Sequence, residues 1–507
     1  MDFLIVLDSQ SNVPLHRQLY EEIRRAILSG RLMPGQRVPS TRAIAESLGI
    51  SRATATLAYE FLLSEGYLQS TTGSGTYVTR HLPDATMRVD TKDGRRKTLI
   101  ETGGLTKKSV KRLSKYGSYI KDRPWFAYGE DEPEIQFSFG RPDFDQFPMR
   151  QWMMLANQLA KKHDLSLLDC PSKSQGFLPL REAIAAHLSK SRAVNCTPQQ
   201  IIVVNGSQQG IDLVTRVILD RGDQAGIEDP GYIGAKKAFE VQGAQLIGVP
   251  VDESGLVVEK LKDPAMANMK LLYVTPSHQS PTGVVMSLPR RLELLNWAQR
   301  SGTFIIEDDY DSEYRYAGRP VPALAGLDRS DSVIYIGTFS KVLFPALRLG
   351  YLVVPASLTE IFARAKFLAD RHSSLLDQQI LAEFIKQGHF ERHIRRMRGL
   401  YQQRRQVIIA SLKKHFGEGV EVLGENAGIN ILIRINWRID DEAFLRVARD
   451  KGVGLVHTKP FYLNVTPPPH EFLLNYAGLT DEKIEMGIER LHAAAQETRN
   501  RGPIVPA

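Results

Sequence analysis

Lys341 sits in GTFSKVLFPALRLG, residues 337–350, after one apolar run, SVIYI, and before another, YLVV. A single lysine at the edge of an apparent α/β core is either a solvated loop charge or a desolvated amine kept for chemistry. Thr338, Ser340 and Arg348 stand around it as two hydroxyls and a guanidinium. Four more motifs bear on the choice. In IIVVNGSQQGIDL a strand runs into Gly206-Ser207-Gln208-Gln209 and then a helix. Backbone N–H groups and the helix dipole make an anion site there, strengthened by Ser207, although many α/β turns look the same. In EDPGYIGAKKAF, Tyr232 follows a turn, where its ring either covers a planar ligand or packs in the core. VTPSHQSPTG is a strand end followed by a turn-rich loop. FIIEDDYDSEYRY carries a strand into Glu307-Asp308-Asp309-Tyr310. A carboxylate at the C-terminal end of a parallel strand points into the ligand crevice of an open sheet and, if buried, needs a cation. The alternative is a cluster of solvated loop acids.

The elements that position these residues follow from pattern. From Phe137 onward, IIVVN, LLYVT, FIIED, SVIYI and GYLVV alternate with helical segments, which predicts a mainly parallel sheet with helices on both faces. At 507 residues the chain exceeds one core, so two or more domains are expected. Its 42% apolar and 24% charged content is that of a soluble protein. MDFLIVLDSQ has no basic n-region, which argues against a signal peptide, and no run reaches the roughly 20 apolar residues of a membrane span. Cys170 and Cys196 lack metal spacing and suit a reducing cytoplasm as two buried thiols; no metal site is expected. Residues 1–130 hold 20 Lys and Arg against 13 Asp and Glu, +7 of the net +8, leaving +1 on residues 131–507. A basic front on a nearly neutral body suggests a polyanion partner for the front; solubility alone is the other explanation.

Within that front, residues 14–30 place Leu15, Leu19, Ile23, Ile27 and Leu28 at helical spacing between Pro14 and Gly30. Ser40 caps a short helix that stops at Gly49, and Ser51 caps the next. A hairpin turning at Gly73–Gly75 makes a wing. In a winged helix-turn-helix the start of the second helix enters the major groove. Ser51, Arg52 and Thr54 occupy it, with Arg42 on the first helix and Ser74 and Thr76 on the wing. Arg52 has the fork to read guanine, and the hydroxyls suit phosphates. A three-helix module that binds protein is the competing reading. VPSTRAIAESLGISRATATLAYEFLLSEGYLQSTTGSGTYV resembles the GntR family of winged-helix bacterial repressors almost position for position.

Together the large-domain motifs form a phosphate cradle, a ring stacker, a carboxylate and an amine, the set that pyridoxal phosphate requires. Their order and spacing resemble fold type I aminotransferases. By that resemblance Lys341 forms the internal aldimine, Asp308 pairs the pyridinium, Tyr310 contacts the phenolic oxygen and Tyr232 stacks on the ring. Ser207, Gln208, Thr338, Ser340 and Arg348 hold the phosphate. A GntR-like reader joined by a long linker to such a domain resembles the MocR subfamily of bacterial transcriptional regulators, over nearly the whole chain. The expected organisation is a DNA-binding head over residues 1–80, a basic flexible linker over 81–135, and an effector and dimerisation domain over 136–507.

Two departures matter. Aminotransferases usually carry Asn-Pro in the third motif; here Ser280 precedes Pro281, after His278 and Gln279, a pair that MocR-type proteins often keep. EFLLNYAGLTDEKIEMGIERL resembles the segment whose arginine binds a substrate α-carboxylate, and Leu473 stands in that place. Losing such a clamp costs a bound amino acid about 2–5 kcal/mol, unless another arginine substitutes. The resulting expectation is a cytoplasmic, homodimeric regulator that binds operator DNA and responds to pyridoxal phosphate itself, or to an amine or amino acid, through Lys341. Its 55-residue arms have a reach of roughly 40 Å, against half-sites about 34 Å apart per helical turn. The rival is a working aminotransferase with an accessory DNA-binding head.

Overall fold

Ser40 and Ser51 each start a helix in the computed structural model, which describes residues 7–8, 11, 13–71, 75–79, 113–121, 133–137, 140–162, 169, 174–316, 321–424 and 427–501. Internal contacts divide the chain into two units, residues 1–112 and 113–507. In the first, α1 (Leu15–Leu28) buries Leu19, Ile23, Ala26 and Ile27. The second helix, α2 (Thr41–Leu48), is capped by the Ser40 hydroxyl, which accepts from the Ala43 amide at 3.2 Å, and ends at Gly49 with φ +64°. That left-handed turn is cheap for glycine and lets the chain reverse into the next cap. Ser51 accepts from the Thr54 amide at 3.0 Å and opens α3 (Arg52–Ser64). The strands β1 (Leu68–Thr71) and β2 (Gly75–Val78) pair antiparallel from Leu68↔Val78 to Thr71↔Gly75. Residues 72–74 of the expected turn lie outside the described residues.

The second unit opens on α4 (Lys115–Lys121), part of the segment read as linker; residues 81–112 and 122–132 lie outside the described residues. After β3 (Ile135–Gln136) come α5 (Met149–Lys161), α6 (Leu178–Arg192), β4 (Ile201–Val204), α7 (Ser207–Ile218), β5 (Gln224–Asp229) and α8 (Ile233–Gln242). There follow β6 (Gln245–Asp252), β7 (Gly255–Leu256), β8 (Met269–Val274), α9 (Leu288–Ser301), β9 (Phe304–Asp309), α10 (Leu324–Leu327), β10 (Val333–Thr338) and β11 (Gly350–Val353). These strands form one eight-stranded sheet in the order β4-β11-β10-β9-β8-β5-β6-β7. The inner pairs β10/β9, β9/β8, β8/β5 and β5/β6 are parallel, and β11 and β7 run against their neighbours. Both faces are buried, so the strands read as continuous apolar runs. Ile202, Val204, Leu271, Tyr273, Ile334 and Ile336 pack on one side. Ile201, Val203 and Tyr335 pack in a core on the other.

Helices α11 (Thr359–Asp370), α12 (Leu375–Lys386) and α13 (His389–Phe416) lead to a smaller lobe. It holds β12 (Val420–Leu423), β13 (Asn430–Ile435), α14 (Asp441–Asp450), β14 (Val453–Gly454), β15 (Val456–His457), β16 (Glu471–Asn475) and α15 (Asp481–Arg501). Its antiparallel sheet, β12-β13-β16-β15, buries Ile431, Ile433, Phe472 and Leu474 together with Met397 and Ile488 from the long helices. Strand β3 joins this lobe by pairing with β14. Cys196, expected to be buried, is half-buried and free, because it sits on the connection before β4 rather than inside the sheet; Cys170 lies outside the described residues. Among the described residues no helix is long and apolar enough to cross a membrane.

Candidate functional site

Lys341 lies in the turn that follows β10, and its Nζ donates to the Gly140 carbonyl at 3.3 Å. Gly140 has φ +81°, and a Cβ there would collide with the lysine nitrogen, so the close approach requires glycine. Burial lowers the Lys341 pKa from 10.5 to about 8, against the opposing pull of Asp311 and Asp308. An appreciable share of the amine is therefore neutral near pH 7–8, the state a nucleophile needs. Asp308 is the penultimate residue of β9 and is buried, with Oδ2 accepting from the Tyr273 hydroxyl at 2.7 Å. Its Oδ1 is buried with no hydrogen-bond partner among the described residues. Burial raises this carboxyl from 3.8 to about 7. A buried acceptor left open in this way calls for a donor supplied from outside the chain.

Tyr232 is the N-cap residue of α8, and its ring stacks on Tyr273 with centroids 6.2 Å apart and planes 25° apart. Tyr232 thus reaches Asp308 through one intervening ring. Tyr310 follows β9; its hydroxyl lies 3.1 Å from His278 Nδ1, which is itself 3.0 Å from Asp311. In the third motif Gln279 is a brace: its amide donates to Glu228, to the Pro230 carbonyl and to the Ser280 carbonyl, while its oxygen accepts from Thr282.

The anion cradle forms where β4, β10 and β11 meet. Gly206, with φ +85°, caps α7, whose first residues are Ser207 and Gln208. Thr338 pairs with Gly350, and a Cβ on Gly350 would lie 3.1 Å from the Gly206 Cα, so the two loops touch. Arg348 adopts a left-handed backbone, φ +51°, and donates to the Asn205 carbonyl at 2.7 Å, which leaves its guanidinium against Gly206. A cation held at the positive end of a helix is unfavourable by itself; an anion between them reverses the sign. Thr338 accepts from the Ser340 amide at 3.2 Å, and Gln208 donates to the Gly234 carbonyl at 3.1 Å. Leu473, in β16, is buried in an apolar cluster with Leu432 and Phe461, against Ile233, the residue after Tyr232.

On the first unit Arg42, Ser51 and Arg52 are exposed at the starts of α2 and α3, and Thr54 and Thr76 are half-buried; Ser74 lies outside the described residues. Sequence reasoning missed Gly140, Tyr273 and Arg37. Gly140 is 201 positions from the lysine it approaches, and Tyr273 reads as one more apolar strand residue. Arg37 is exposed and bridged to Tyr77, and its Nε would lie 2.9 Å from a Cβ on Gly75; its place beside the wing had no local signature.

Residues 15–78 match the family described as bacterial regulatory proteins, gntR family, and residues 132–491 match aminotransferase class I and II. The probable rhizopine catabolism regulatory protein MocR of Rhizobium meliloti is 38% identical over 99% of this chain and 98% of its own length. The chain belongs to the MocR subfamily of GntR-type transcriptional regulators. The transcriptional regulator TauR of Rhodobacter capsulatus is 31% identical over 95% of this chain and 96% of its own. Among solved structures, Pyrococcus horikoshii kynurenine aminotransferase is 30% identical with TM-score 0.68, covering 78% of this chain and 98% of its own. The multiple substrate aminotransferase of Thermococcus profundus is 28% identical with TM-score 0.69, covering 77% and 98%. This MocR-type chain is a DNA-binding transcriptional regulator with a fold type I aminotransferase-like domain, and its cofactor is pyridoxal phosphate. Its own residues fit that group: an open carboxylate oxygen on Asp308, a neutralisable amine on Lys341, and a glycine-lined helix start facing Arg348.

Proposed function

We propose that this regulator anchors pyridoxal phosphate on Lys341 and passes the state of that site to its DNA-reading head. The observation that carries the reading is the juxtaposition of a half-buried lysine whose amine has a pKa of about 8 and a buried carboxylate with one open oxygen. Bound there, the cofactor supplies an aldehyde that captures primary amines. Lys341 provides the competing amine, and Asp308, oriented by Tyr273, offers Oδ1 to the pyridine N–H. Tyr232 covers the ring and Tyr310 meets the phenolic oxygen. Ser207, Gln208, Thr338, Ser340 and Arg348 hold the phosphate. Arg42, Ser51, Arg52, Thr54 and Thr76 face operator DNA, Arg52 reading a base. The reading includes a homodimer in the cytoplasm, with residues 1–80 as head, 81–135 as linker and 136–507 as effector and dimerisation domain. Leu473 offers no bidentate partner for a carboxylate, so the effector is the cofactor itself or a non-standard amine in preference to an ordinary α-amino acid.

The test is a titration of the purified chain with pyridoxal phosphate, followed by visible absorbance, borohydride reduction and mapping of the modified lysine. A single adduct at Lys341 is expected, absent from Lys341→Ala, which keeps some phosphate-driven binding. An adduct on another lysine, or none, overturns the assignment. Operator affinity is then measured for apo protein, holo protein and holo protein with each common amino acid. Equal apo and holo affinities, with a several-fold change caused by one amino acid, make that amino acid the effector. Transamination at about 1 s⁻¹ or faster in the same samples supports an enzyme instead.

A further inference from the structure

Helix α8 meets the candidate site at one end and the segment leading to the DNA head at the other. Around its first turn, Tyr232 stacks on Tyr273, the Gly234 carbonyl accepts from Gln208 at 3.1 Å, and Lys236 donates to the Tyr462 carbonyl at 3.0 Å. The Gly231 amide donates to the Phe461 carbonyl at 3.0 Å, just before the helix. Ring stacker, phosphate cradle and small lobe therefore all grip one turn. In its last turn, Glu240 accepts a hydrogen bond from the Tyr119 hydroxyl of α4. The helix's ten residues make a rod about 15 Å long, and Glu240 is about 12 Å along it from Tyr232. A hydrogen-bonded helix this short moves as a unit, so a shift at Tyr232 is felt at Glu240.

The hold on α4 is thin. Of residues 113–121 only Gly117 and Tyr119 are half-buried; the others are exposed, Tyr116 at 53% and Ile120 at 39%. A segment with so little buried apolar surface opens at low cost, and a hydroxyl–carboxylate hydrogen bond takes part in its docking to α8. Docking at Tyr119 fixes one described point of the chain between the head and β3.

We propose that α8 is the relay between the cofactor site and the DNA head, and that Tyr119 on Glu240 is the contact it switches. The inference rests on the reading above, in which the state of the Lys341 site governs DNA binding. Cofactor binding orders the Tyr232 turn, α8 settles, and α4 is held; without the cofactor the turn loosens and α4 leaves Glu240. Binding couplings are reciprocal, so operator DNA shifts cofactor affinity by the same factor as the cofactor shifts operator affinity.

The experiment uses the full-length protein as wild type, Tyr119→Phe and Glu240→Ala, each with and without pyridoxal phosphate. Two quantities are read: operator affinity, and hydrogen exchange of the amides of residues 115–121. In the wild type the cofactor should change operator affinity several-fold and slow exchange in α4. In both variants the affinity ratio should fall to within twofold of one and the exchange difference should vanish, while the bound cofactor's visible absorbance is unchanged. If the wild type responds and both variants respond as strongly, α8 is not the relay, although the site still governs the head. If the wild type shows neither response, the underlying reading falls and the relay with it.

Discussion

The helix starts we read as DNA-facing and the site around Lys341 use charge in opposite ways. Arg42 and Arg52 stand in water on capped helix ends, as reading a polyanion demands, because a phosphate backbone is met by displacing counterions from solvated cations. Lys341 and Asp308 are held where burial shifts both pKa values toward neutrality, the amine down to about 8 and the acid up to about 7. One surface presents exposed guanidinium groups to solvent; the other holds two groups near the point of changing charge. The first is built within some 40 residues of chain, and the second gathers residues 140, 206–208, 232, 273, 308 and 341.

The sharpest way to break that contrast is Asp308→Asn. Leaving the pyridinium without its buried partner should weaken cofactor binding by about 3–5 kcal/mol, measured by titration at pH 8. The same variant carries a pH signature. Burial raises the Asp308 pKa from 3.8 to about 7, so its contribution to stability is complete below about 4 and is lost as pH rises through about 7. The cofactor needs the carboxylate ionised, so the rise in melting temperature on adding pyridoxal phosphate should grow between pH 6 and 8 in the wild type and flatten in Asp308→Asn. A wild type flat across that range would remove Asp308 from the pairing role.

Arg52→Ala should weaken operator binding by about 1–3 kcal/mol and relax preference at one base position, with cofactor titration unchanged. Fluorescence anisotropy on a set of single-base operator variants checks both; an unchanged preference would move base reading elsewhere, with Arg37 the next exposed guanidinium beside the wing. The smallest effect is expected from Ser51→Ala. It removes the cap that accepts from the Thr54 amide and should destabilise the head by about 1 kcal/mol in thermal melts of the full chain. Because that hydroxyl also faces the groove in our reading, its loss should lower operator affinity more than melting temperature alone implies.

Legibility followed the same division. The caps at Ser40 and Ser51, the Gly49 reversal and the apolar spacing of α1 are local, and each stands where pattern placed it. The strands carrying Val204, Asp308 and Thr338 were equally plain, since a strand buried on both faces is a run of branched apolar residues. The small lobe's sheet was not named: VEVL and NILIRI interrupt their apolar runs with charge and pair antiparallel beside long helices, without the strand–helix alternation that revealed the larger sheet. In the segment read as linker, the sequence leaves room for short surface helices such as one over SVKRLSKYG, and KYGSYIK, which overlaps it, forms one against α8.

By itself the order of residues determined which groups are present at strand ends and helix starts, because those positions are set by hydrogen bonding and steric preference within a few residues. It therefore contained the amine, the acid, the ring, the glycine-led helix start and the capped helix we read as DNA-facing. Only tertiary structure decided their state. That Gly140 must lack a side chain for Lys341 to fit, that Tyr273 takes one oxygen of Asp308 and leaves the other open, and that Tyr119 rests on Glu240 all depend on residues brought together across 201, 35 and 121 positions. Desolvation, which moves both pKa values, is a property of what surrounds a group in space, and no neighbour in the chain supplies it.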